Sequence, residues 1–217
     1  MWGDMRSMYV KYWKRLMDVV LSFLGIMVLA VPMLIIAIAV KLDTPGPVLF
    51  KQRRIGIHKK EFQILKFRTM RTDAPSEMPT HLLNVEAVRF TRLQKLLRKT
   101  SLDELPQLFC IFVGSMSIIG PRPALWNQYD LLAERDKYSA NDVKPGLTGW
   151  AQINGRDTIT IEDKARYDGE YVRRMSFGFD VKCFFGTIVS VLRRDGVQEG
   201  GIPGLRRDER EKEVVGK

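Results

Sequence analysis

Two adjacent carboxylates, Asp103 and Glu104, are the residues of this chain best suited by type and spacing to covalent chemistry. They stand in the segment 101–107, directly after a basic stretch. One carboxylate of such a pair can attack phosphorus to form an aspartyl-phosphoryl intermediate, while its neighbour moves a proton or holds a metal ion. Because carboxylates repel phosphate oxygens, a site of this kind needs Mg²⁺ and several cations close by.

Four basic residues can supply those cations. Lys66 and Arg68 stand two positions apart, Arg122 lies between two prolines, and Arg156 follows Gly155. A restricted turn holds an arginine rigidly, which suits the bidentate binding of a phosphate group. We therefore take all four as candidate phosphate ligands, although each one alone could equally form a surface salt bridge.

The local sequence also allows a purely structural role for the acidic pair. Ser101 and Glu104 have the spacing of a capping box, and Asp103 would fall in a first helical turn, where the helix dipole favours negative charge. Pro106 argues against that helix, because at its fifth position a proline forfeits a backbone hydrogen bond. If a helix instead begins at Pro106, both carboxylates lie in the loop before it.

An apolar run near the N-terminus is the element that would place this site at a membrane. Residues 19–40 contain no charge, and as a straight helix they would be about 33 Å long, against about 30 Å for a hydrocarbon core. Pro32 predicts a break that divides the run into halves of about 20 and 13 Å.

The topology of this run follows from its flanks. Basic residues stand on both sides of it, and the positive-inside bias disfavours exporting either flank. We therefore predict that residues 1–45 form a re-entrant membrane hairpin, broken at Pro32, that enters and leaves the cytoplasmic leaflet. The alternative is a single kinked span with its N-terminus outside.

The composition of the whole chain narrows the function classes. The net charge is +10, and residues 1–71 hold 13 Lys/Arg against 4 Asp/Glu, so the positive charge belongs to the membrane-proximal third. Such a bias attracts anionic lipid or nucleic acid, and the apolar run favours lipid. Cys110 and Cys183 lack CxxC spacing, and two histidines give little material for a metal site or a catalytic triad. An oxygen-bound ion, and hence Mg²⁺, suits this composition better.

The 217 residues suffice for one catalytic domain, a membrane element and a tail. We assign the catalytic domain to residues 46–199 and a flexible tail to 200–217. Residues 86–99 are typical of a helix in the lipid headgroup plane, the alternative being the solvated face of a core helix. The other predicted elements are strands at 48–50 and 62–67, a loop at 72–80, helices at 126–138, 162–175 and 180–194, a short strand and turn at 151–156, and an apolar segment at 108–119 that periodicity leaves open between helix and strand.

Several motifs follow one another along the chain in a fixed order. They are Lys14-Arg15-Leu16-Met17-Asp18, the apolar run with Pro32, Pro47-Val48-Leu49-Phe50-Lys51-Gln52-Arg53-Arg54-Ile55-Gly56, Lys66-Phe67-Arg68-Thr69-Met70, Ser101-Leu102-Asp103-Glu104-Leu105-Pro106-Gln107, Gly120-Pro121-Arg122-Pro123, and Pro145-Gly146-Leu147-Thr148-Gly149-Trp150-Ala151-Gln152-Ile153-Asn154-Gly155-Arg156. Together they resemble the bacterial sugar transferases, or monotopic phosphoglycosyl transferases, in a minimal single-domain form that covers residues 11–197. The segment 124–128 departs from the family pattern, because it offers the amides of Asn127 and Gln128 where a glutamate is common.

The resemblance implies a fold and a reaction. The fold would be α/β and mainly helical, a compact membrane-associated catalytic domain with an N-terminal re-entrant helix-break-helix and interfacial amphipathic helices. The reaction would transfer a sugar 1-phosphate from a UDP-sugar to undecaprenyl phosphate and release UMP, at the cytoplasmic face of the inner membrane. Besides these substrates, membrane lipid and other glycan-assembly enzymes would be partners, and nucleic acid would not.

The resemblance also implies roles for the site residues. Asp103 would be the nucleophile on the β-phosphorus and a ligand of Mg²⁺, and Glu104 would assist through proton transfer or metal organisation. The basic residues Lys66, Arg68, Arg122 and Arg156 would bind the substrate phosphates. The alternative function is a non-catalytic, basic, membrane-anchored scaffold of a polysaccharide assembly complex, which would tolerate the loss of both acids.

Overall fold

The computed structural model describes residues 8–70, 90–155 and 159–193 of the chain. Three sequence predictions, the loop at 72–80, the role of Arg156 and the tail at 200–217, therefore lie outside the described residues. The helices are α1 (Lys14–Asp43), α2 (Arg92–Lys99), α3 (Gln107–Val113), α4 (Tyr129–Asp136), α5 (Trp150–Ile153), α6 (Ile161–Arg174) and α7 (Phe177–Arg193), and the strands are β1 (Leu49–Ile55), β2 (Glu61–Phe67), β3 (Ser117–Ile119) and β4 (Gly146–Thr148). This confirms the mainly helical α/β fold class.

The apolar run forms one helix, α1, which continues through Pro32. The predicted division into two helices by a break at Pro32 is therefore wrong. Pro32 lacks only the N–H that would bond the carbonyl of Val28, and the helical hydrogen bonds on either side of this gap keep the helix continuous. With the turn before it, this apolar element covers Tyr9–Asp43 and is long and apolar enough to cross a membrane.

One face of α1 packs along the domain that follows it in the chain, and the opposite face exposes apolar side chains. The buried residues recur at helical spacing along this face: Asp18, Ser22, Met33 and Val40. In the second half of the helix they pack with Phe67 at the end of β2 and with Leu97 of α2. In the first half, the rings of Phe23 and Phe112 lie 6.2 Å apart, so α3 lies beside the apolar helix.

Polar contacts attach the beginning of α1 to the domain that follows it. Lys14 forms a salt bridge of 2.6 Å with Asp180 at the beginning of α7. The guanidinium of Arg15 donates to the last carbonyls of α3, at 2.7 Å to Ile111 and 2.8 Å to Phe112. A cation at this end of a helix also interacts favourably with the helix dipole.

The far end of α1 is attached to the same domain. Asp43 accepts a hydrogen bond of 2.7 Å from the hydroxyl of Thr91, the N-cap of α2. The guanidinium of Arg68 donates to the carbonyls of Thr44 and Pro45 at 2.6 and 2.8 Å. Both ends of the apolar helix are thus held by one folded unit.

The sequence between α1 and α2 forms the predicted β-hairpin. Strands β1 and β2 pair antiparallel, from Leu49 opposite Phe67 to Ile55 opposite Glu61, so the first strand is longer than its predicted extent. The outer edge of β1 pairs with a later loop, since the N–H of Ile55 donates to the carbonyl of Ala124 at 2.9 Å.

A second, parallel pair is formed by β3 and β4. It requires a close backbone approach at glycines: a Cβ on Gly149 would lie 2.0 Å from the carbonyl oxygen of Gly120, and one on Gly146 would lie 2.1 Å from the nitrogen of Gly120. The strand predicted at 151–156 is wrong, because residues Gly146–Thr148 form the strand and Trp150–Ile153 form a helical turn. Because these glycines have no side chain, β4 can approach β3 closely.

The remaining helices agree in part with the sequence predictions. Helices α6 and α7 confirm the predicted helices at 162–175 and 180–194, and α4 is shorter than its prediction. The segment 108–119 contains both alternatives, since α3 ends at Val113, Gly114 caps it with φ of 96°, and β3 follows. Helix α2 begins at Arg92, within the predicted range of 86–99.

Candidate active site

The acidic pair lies in a single 3₁₀ turn, Leu102–Glu104, between α2 and α3. Ser101 has φ of 56°, in the left-handed region, and its side chain makes no capping hydrogen bond. The capping box considered at Ser101 and Glu104 is therefore wrong. Pro106 is the N-cap of α3, so both carboxylates precede that helix, as the second interpretation of Pro106 required. The capping box of this region is formed by Thr91 and Gln94 instead.

Glu104 gathers two of the four predicted cations. Its Oε1 accepts from Lys66 Nζ at 2.7 Å and from Arg122 Nη2 at 2.7 Å, while its Oε2 lies 3.5 Å from Arg122 Nη1. Lys66 comes from β2 and Arg122 from the loop after β3, so residues far apart in sequence converge on one carboxylate. The result is a compact cluster of three charged groups with a net positive charge.

The charges in this cluster and the burial of Glu104 shift the pKa of Glu104 in opposite directions. Burial alone would raise the pKa of Glu104, but the charges of Arg122 and Lys66 outweigh it and hold that pKa well below its ordinary value. Burial lowers the pKa of Lys66 from its ordinary value, against the attraction of Glu104. Glu104 is thus ionised at neutral pH and holds both cations in place.

Asp103 has a different environment from its neighbour. It is 8% exposed, and within the described part of the chain no donor hydrogen-bonds its carboxylate. Burial raises its pKa above the ordinary value, although the charge of Lys66 acts in the opposite direction. A desolvated carboxylate without hydrogen-bond donors, beside a cation cluster, is suited to nucleophilic attack on an anionic centre that the cations attract.

Arg122 is held by the backbone of its loop as well as by Glu104. Pro121 and Pro123 flank it and have no N–H to donate, so the loop is fixed mainly through its carbonyls. The carbonyl of Pro121 accepts from the N–H of Gly146 at 2.8 Å, which attaches the loop to the beginning of β4. Arg122 therefore projects from a segment whose backbone is tied on both sides.

A buried ion pair that the sequence analysis missed supports the same loop. Arg135 donates to the carbonyl of Arg122 at 2.9 Å, and its guanidinium donates to Asp168 Oδ2 at 2.8 and 2.6 Å. Both side chains are almost fully buried. Their separation along the chain leaves no local sequence signal, and only the helical periodicity of α4 and α6 places each on an inward face.

Arg68 is directed away from the acidic pair. It is 3% exposed, and its terminal nitrogens donate to Thr44 and Pro45 at the end of α1. Of the predicted phosphate ligands, the structure therefore brings Lys66 and Arg122 to the carboxylates and gives Arg68 a structural position. Arg156 lies outside the described residues.

A metal site made by side chains alone does not occur in the described ranges, since no group of three or more His, Cys, Asp or Glu side chains comes together there. Mg²⁺ commonly binds through one or two carboxylates together with substrate phosphates and water. Asp103 can supply one such carboxylate, whereas both oxygens of Glu104 face cations. The donor set thus fits an ion that arrives with a phosphorylated substrate.

Known proteins resemble this chain over most of its length. A UDP-glucose:undecaprenyl-phosphate glucose-1-phosphate transferase of Xanthomonas campestris pv. campestris is 40% identical over 88% of this chain and 41% of its own length. An enzyme of the same name from Escherichia coli (strain K12) is 42% identical over 81% of this chain and 39% of its own length. The uncharacterized sugar transferase EpsL of Bacillus subtilis (strain 168) is 41% identical over 86% of this chain and 90% of its own length. The chain thus spans about two fifths of the first two relatives and most of the third.

The family model for bacterial sugar transferases matches residues 9–194, a range that contains α1, the acidic pair and the Arg122 loop. Three of the motifs that carried the resemblance in the sequence build the site: the turn with Asp103 and Glu104, the strand with Lys66, and the loop with Arg122. The chain belongs to the bacterial sugar transferase family.

Proposed function

We propose that this protein transfers a sugar 1-phosphate from a UDP-sugar to undecaprenyl phosphate and releases UMP. The observation that carries the proposal is the contrast within the acidic pair: Glu104 is held by two cations, while Asp103 beside it accepts no hydrogen bond from any described residue. Two relatives are named for a reaction of this kind with UDP-glucose, so UDP-glucose is the first donor to assay.

The reaction follows as two displacements at one phosphorus. In the first, a carboxylate oxygen of Asp103 attacks the β-phosphorus of the UDP-sugar, and the bond from that phosphorus to the bridging oxygen breaks, releasing UMP. In the second, an oxygen of undecaprenyl phosphate attacks the same phosphorus, and the bond to Asp103 breaks. The carboxylate is regenerated, and each donor and acceptor uses the same site in turn.

Lys66 and Arg122 have the chemistry to hold the phosphoryl oxygens during both displacements. Fixed cations in a site of low solvent exposure stabilise developing negative charge without reorganising at the moment of reaction. Arg122 presents a planar fork suited to two oxygens of one phosphate, and Lys66 adds a point charge. Glu104 keeps the two cations close together in the absence of substrate.

Mg²⁺ is part of this proposal. Asp103 is the residue that would hold it, and the ion, when bound, would neutralise charge on the diphosphate and orient it. Glu104 would then contribute through Lys66 and Arg122, since its oxygens already accept from them.

The membrane topology is also proposed. The attachment of both ends of α1 to one domain, through Asp180 at the beginning and Thr91 at the end, supports a helix whose two ends stay on the same side of the membrane, with Pro32 as the point at which such a helix would bend. The basic N-terminal third favours the cytoplasmic face of the inner membrane, and other glycan-assembly enzymes are proposed partners.

The decisive experiment is the trapping of a covalent intermediate. Purified protein mixed with UDP-glucose and Mg²⁺, without lipid acceptor, should release UMP once per active site and gain the mass of a hexose phosphate on the peptide that contains Asp103. Asp103→Asn should show neither. Repeated turnover by Asp103→Asn would remove this residue from its role, and unchanged membrane association without turnover in wild-type protein would favour the scaffold instead.

A further inference from the structure

We propose that Arg54 is a positioning residue for Arg122: its side chain holds the loop of Arg122 so that the guanidinium of Arg122 faces the acidic pair. The catalytic meaning of this inference rests on the proposed function. The contacts that carry it are described below and are independent of that function.

The loop of Arg122 is held in place by hydrogen-bond donors from other parts of the chain. Four successive carbonyls accept hydrogen bonds from four different groups: Pro121 from the N–H of Gly146 at 2.8 Å, Arg122 from Arg135 at 2.9 Å, Pro123 from Arg54 Nη1 at 3.0 Å and Ala124 from the N–H of Ile55 at 2.9 Å. Two of these donors are backbone groups and fix the ends of the segment. The two side-chain donors, Arg135 and Arg54, fix the carbonyls of Arg122 and Pro123 between them.

The direction of the Arg54 side chain is itself fixed. Its Nε and Nη2 donate to Gln52 Oε1 at 3.0 and 2.6 Å, which leaves Nη1 aimed at the carbonyl of Pro123. A planar guanidinium can serve these two acceptors at once because its donors form a rigid fork. A lysine at this position would keep the positive charge but could not reproduce both contacts.

The pairing of β1 with the loop would survive the loss of this side chain. The bond from Ile55 to Ala124 is a backbone contact, and Arg54 also pairs with Leu125 through an isolated backbone bridge. The backbone bonds therefore attach the loop to β1, and the Arg54 side chain fixes the carbonyl of Pro123. It holds the peptide that joins Pro123 to Ala124, while Arg135 holds the peptide that joins Arg122 to Pro123. With both peptides fixed, the Arg122 side chain keeps its direction toward Glu104.

The test measures the binding of inorganic pyrophosphate, in the presence of Mg²⁺, to the full chain in detergent by calorimetry. This ligand probes the Lys66 and Arg122 cluster without requiring turnover. We expect Arg54→Lys and Arg54→Met each to weaken binding about fivefold, the effect of one lost hydrogen bond. Arg53→Met is the matched control: Arg53 is the adjacent residue on β1, carries the same charge, and contacts Glu61 and Trp126 instead.

A double-mutant cycle separates positioning from general damage. In an Arg122→Met background, Arg54→Lys should weaken pyrophosphate binding by less than about twofold, because the residue it positions is gone. Melting temperatures of all variants identify any loss of folding. A fivefold loss that persists in the Arg122→Met background overturns the inference, and so does Arg54→Lys with the affinity of wild type, which would show that charge alone matters.

The same protein preparations keep the inference and the proposed function distinguishable. If wild-type protein binds pyrophosphate but releases no UMP from any UDP-sugar, the proposed function is contradicted. The double-mutant cycle still tests the inference in that case, because it measures only pyrophosphate binding. Wild-type protein that does not bind pyrophosphate overturns the inference, because no anion site would then exist for Arg54 to arrange.

Discussion

Asp18, inside the apolar helix α1, accepts a hydrogen bond of 2.9 Å from the backbone N–H of Ile118 in β3. The hydroxyl of Ser117 donates to the same oxygen at 3.0 Å. The strand that these contacts fix leads directly into the loop of Arg122. An acidic residue of the apolar helix is therefore connected to the loop of Arg122 through only a few residues.

Replacing Asp18 should destabilise the protein. Asp18→Ala leaves the buried hydroxyl of Ser117 and the part-buried N–H of Ile118 without their acceptor, which should cost about 1–3 kcal/mol of unfolding free energy and lower Tm in detergent. Val31→Ala, at an exposed position on the same helix, should change Tm little. Equal Tm values for wild type and Asp18→Ala would contradict a structural role for this link.

The glycines at the parallel strand pair give a second prediction. Gly149→Ala would place its Cβ 2.0 Å from the carbonyl oxygen of Gly120, so the backbones must separate, and we expect at least about 3 kcal/mol of destabilisation. Gly178→Ala is the control, because a Cβ there meets no atom within 4 Å. In a helix this substitution should stabilise the protein by up to about 1 kcal/mol. Chemical denaturation of the two variants measures both effects.

Glu104 should make stability depend on pH. Its pKa is held well below the ordinary value of 4.5 by Arg122 and Lys66 despite burial. A carboxylate with a lowered folded-state pKa stabilises the protein above the unfolded-state pKa, and this contribution is lost as the pH falls through the folded-state value. Glu104→Gln should therefore lower Tm at pH 7, and the difference from wild type should shrink as the pH falls below 4.5. A difference that grows toward acidic pH would contradict the geometry of the cluster.

Asp103 should set the acidic limit of the first displacement. Burial raises its pKa above 3.8, so the protonated form persists to higher pH than for an ordinary aspartate. Because only the carboxylate attacks, the rate of adduct formation should fall as the pH drops through a value above 3.8. Single-turnover release of UMP without lipid acceptor measures this limb and avoids titration of the acceptor phosphate. A midpoint at or below 3.8 would exclude the raised pKa.

Mg²⁺ should bind tightly only together with a diphosphate. Asp103 is one carboxylate, and the described residues contribute no cluster of three metal-binding side chains around it. We expect calorimetry to detect little Mg²⁺ binding by the protein alone and clear binding when UDP is present. Asp103→Asn should weaken the UDP-dependent binding. Tight binding of Mg²⁺ to the free protein would point to ligands elsewhere.

Local sequence patterns predicted the elements whose signals are local. The alternation in β2 and the basic turn before it indicated the hairpin, and the periodicity of residues 162–175 and 180–194 indicated α6 and α7. The acidic pair was found for a similar reason, because Asp103 and Glu104 are neighbours in the chain. Lys66 and Arg122 were recognised as candidates by type, and the structure places both on Glu104.

The sequence predictions were wrong where contacts with distant backbone groups decide the conformation. The short segment Gly146–Thr148 pairs with β3, and that partner lies outside residues 145–156, so no pattern local to this range specifies the pairing. Arg68 has the type of a phosphate ligand, but carbonyls at the end of α1 occupy its guanidinium. The pair of Arg135 and Asp168 joins two helices that no single pattern connects.

The attachment of α1 at both Asp18 and Asp43 has a mechanical consequence. A helix attached to a domain at one point can tilt in a bilayer independently of that domain. A helix attached near both ends can tilt only together with the domain. In the proposed membrane location, changes in lipid thickness would therefore move α1 and the attached domain together. In the proposed reaction, the carboxyl of Asp103 would keep its height relative to the apolar helix and would meet the lipid phosphate at a fixed depth.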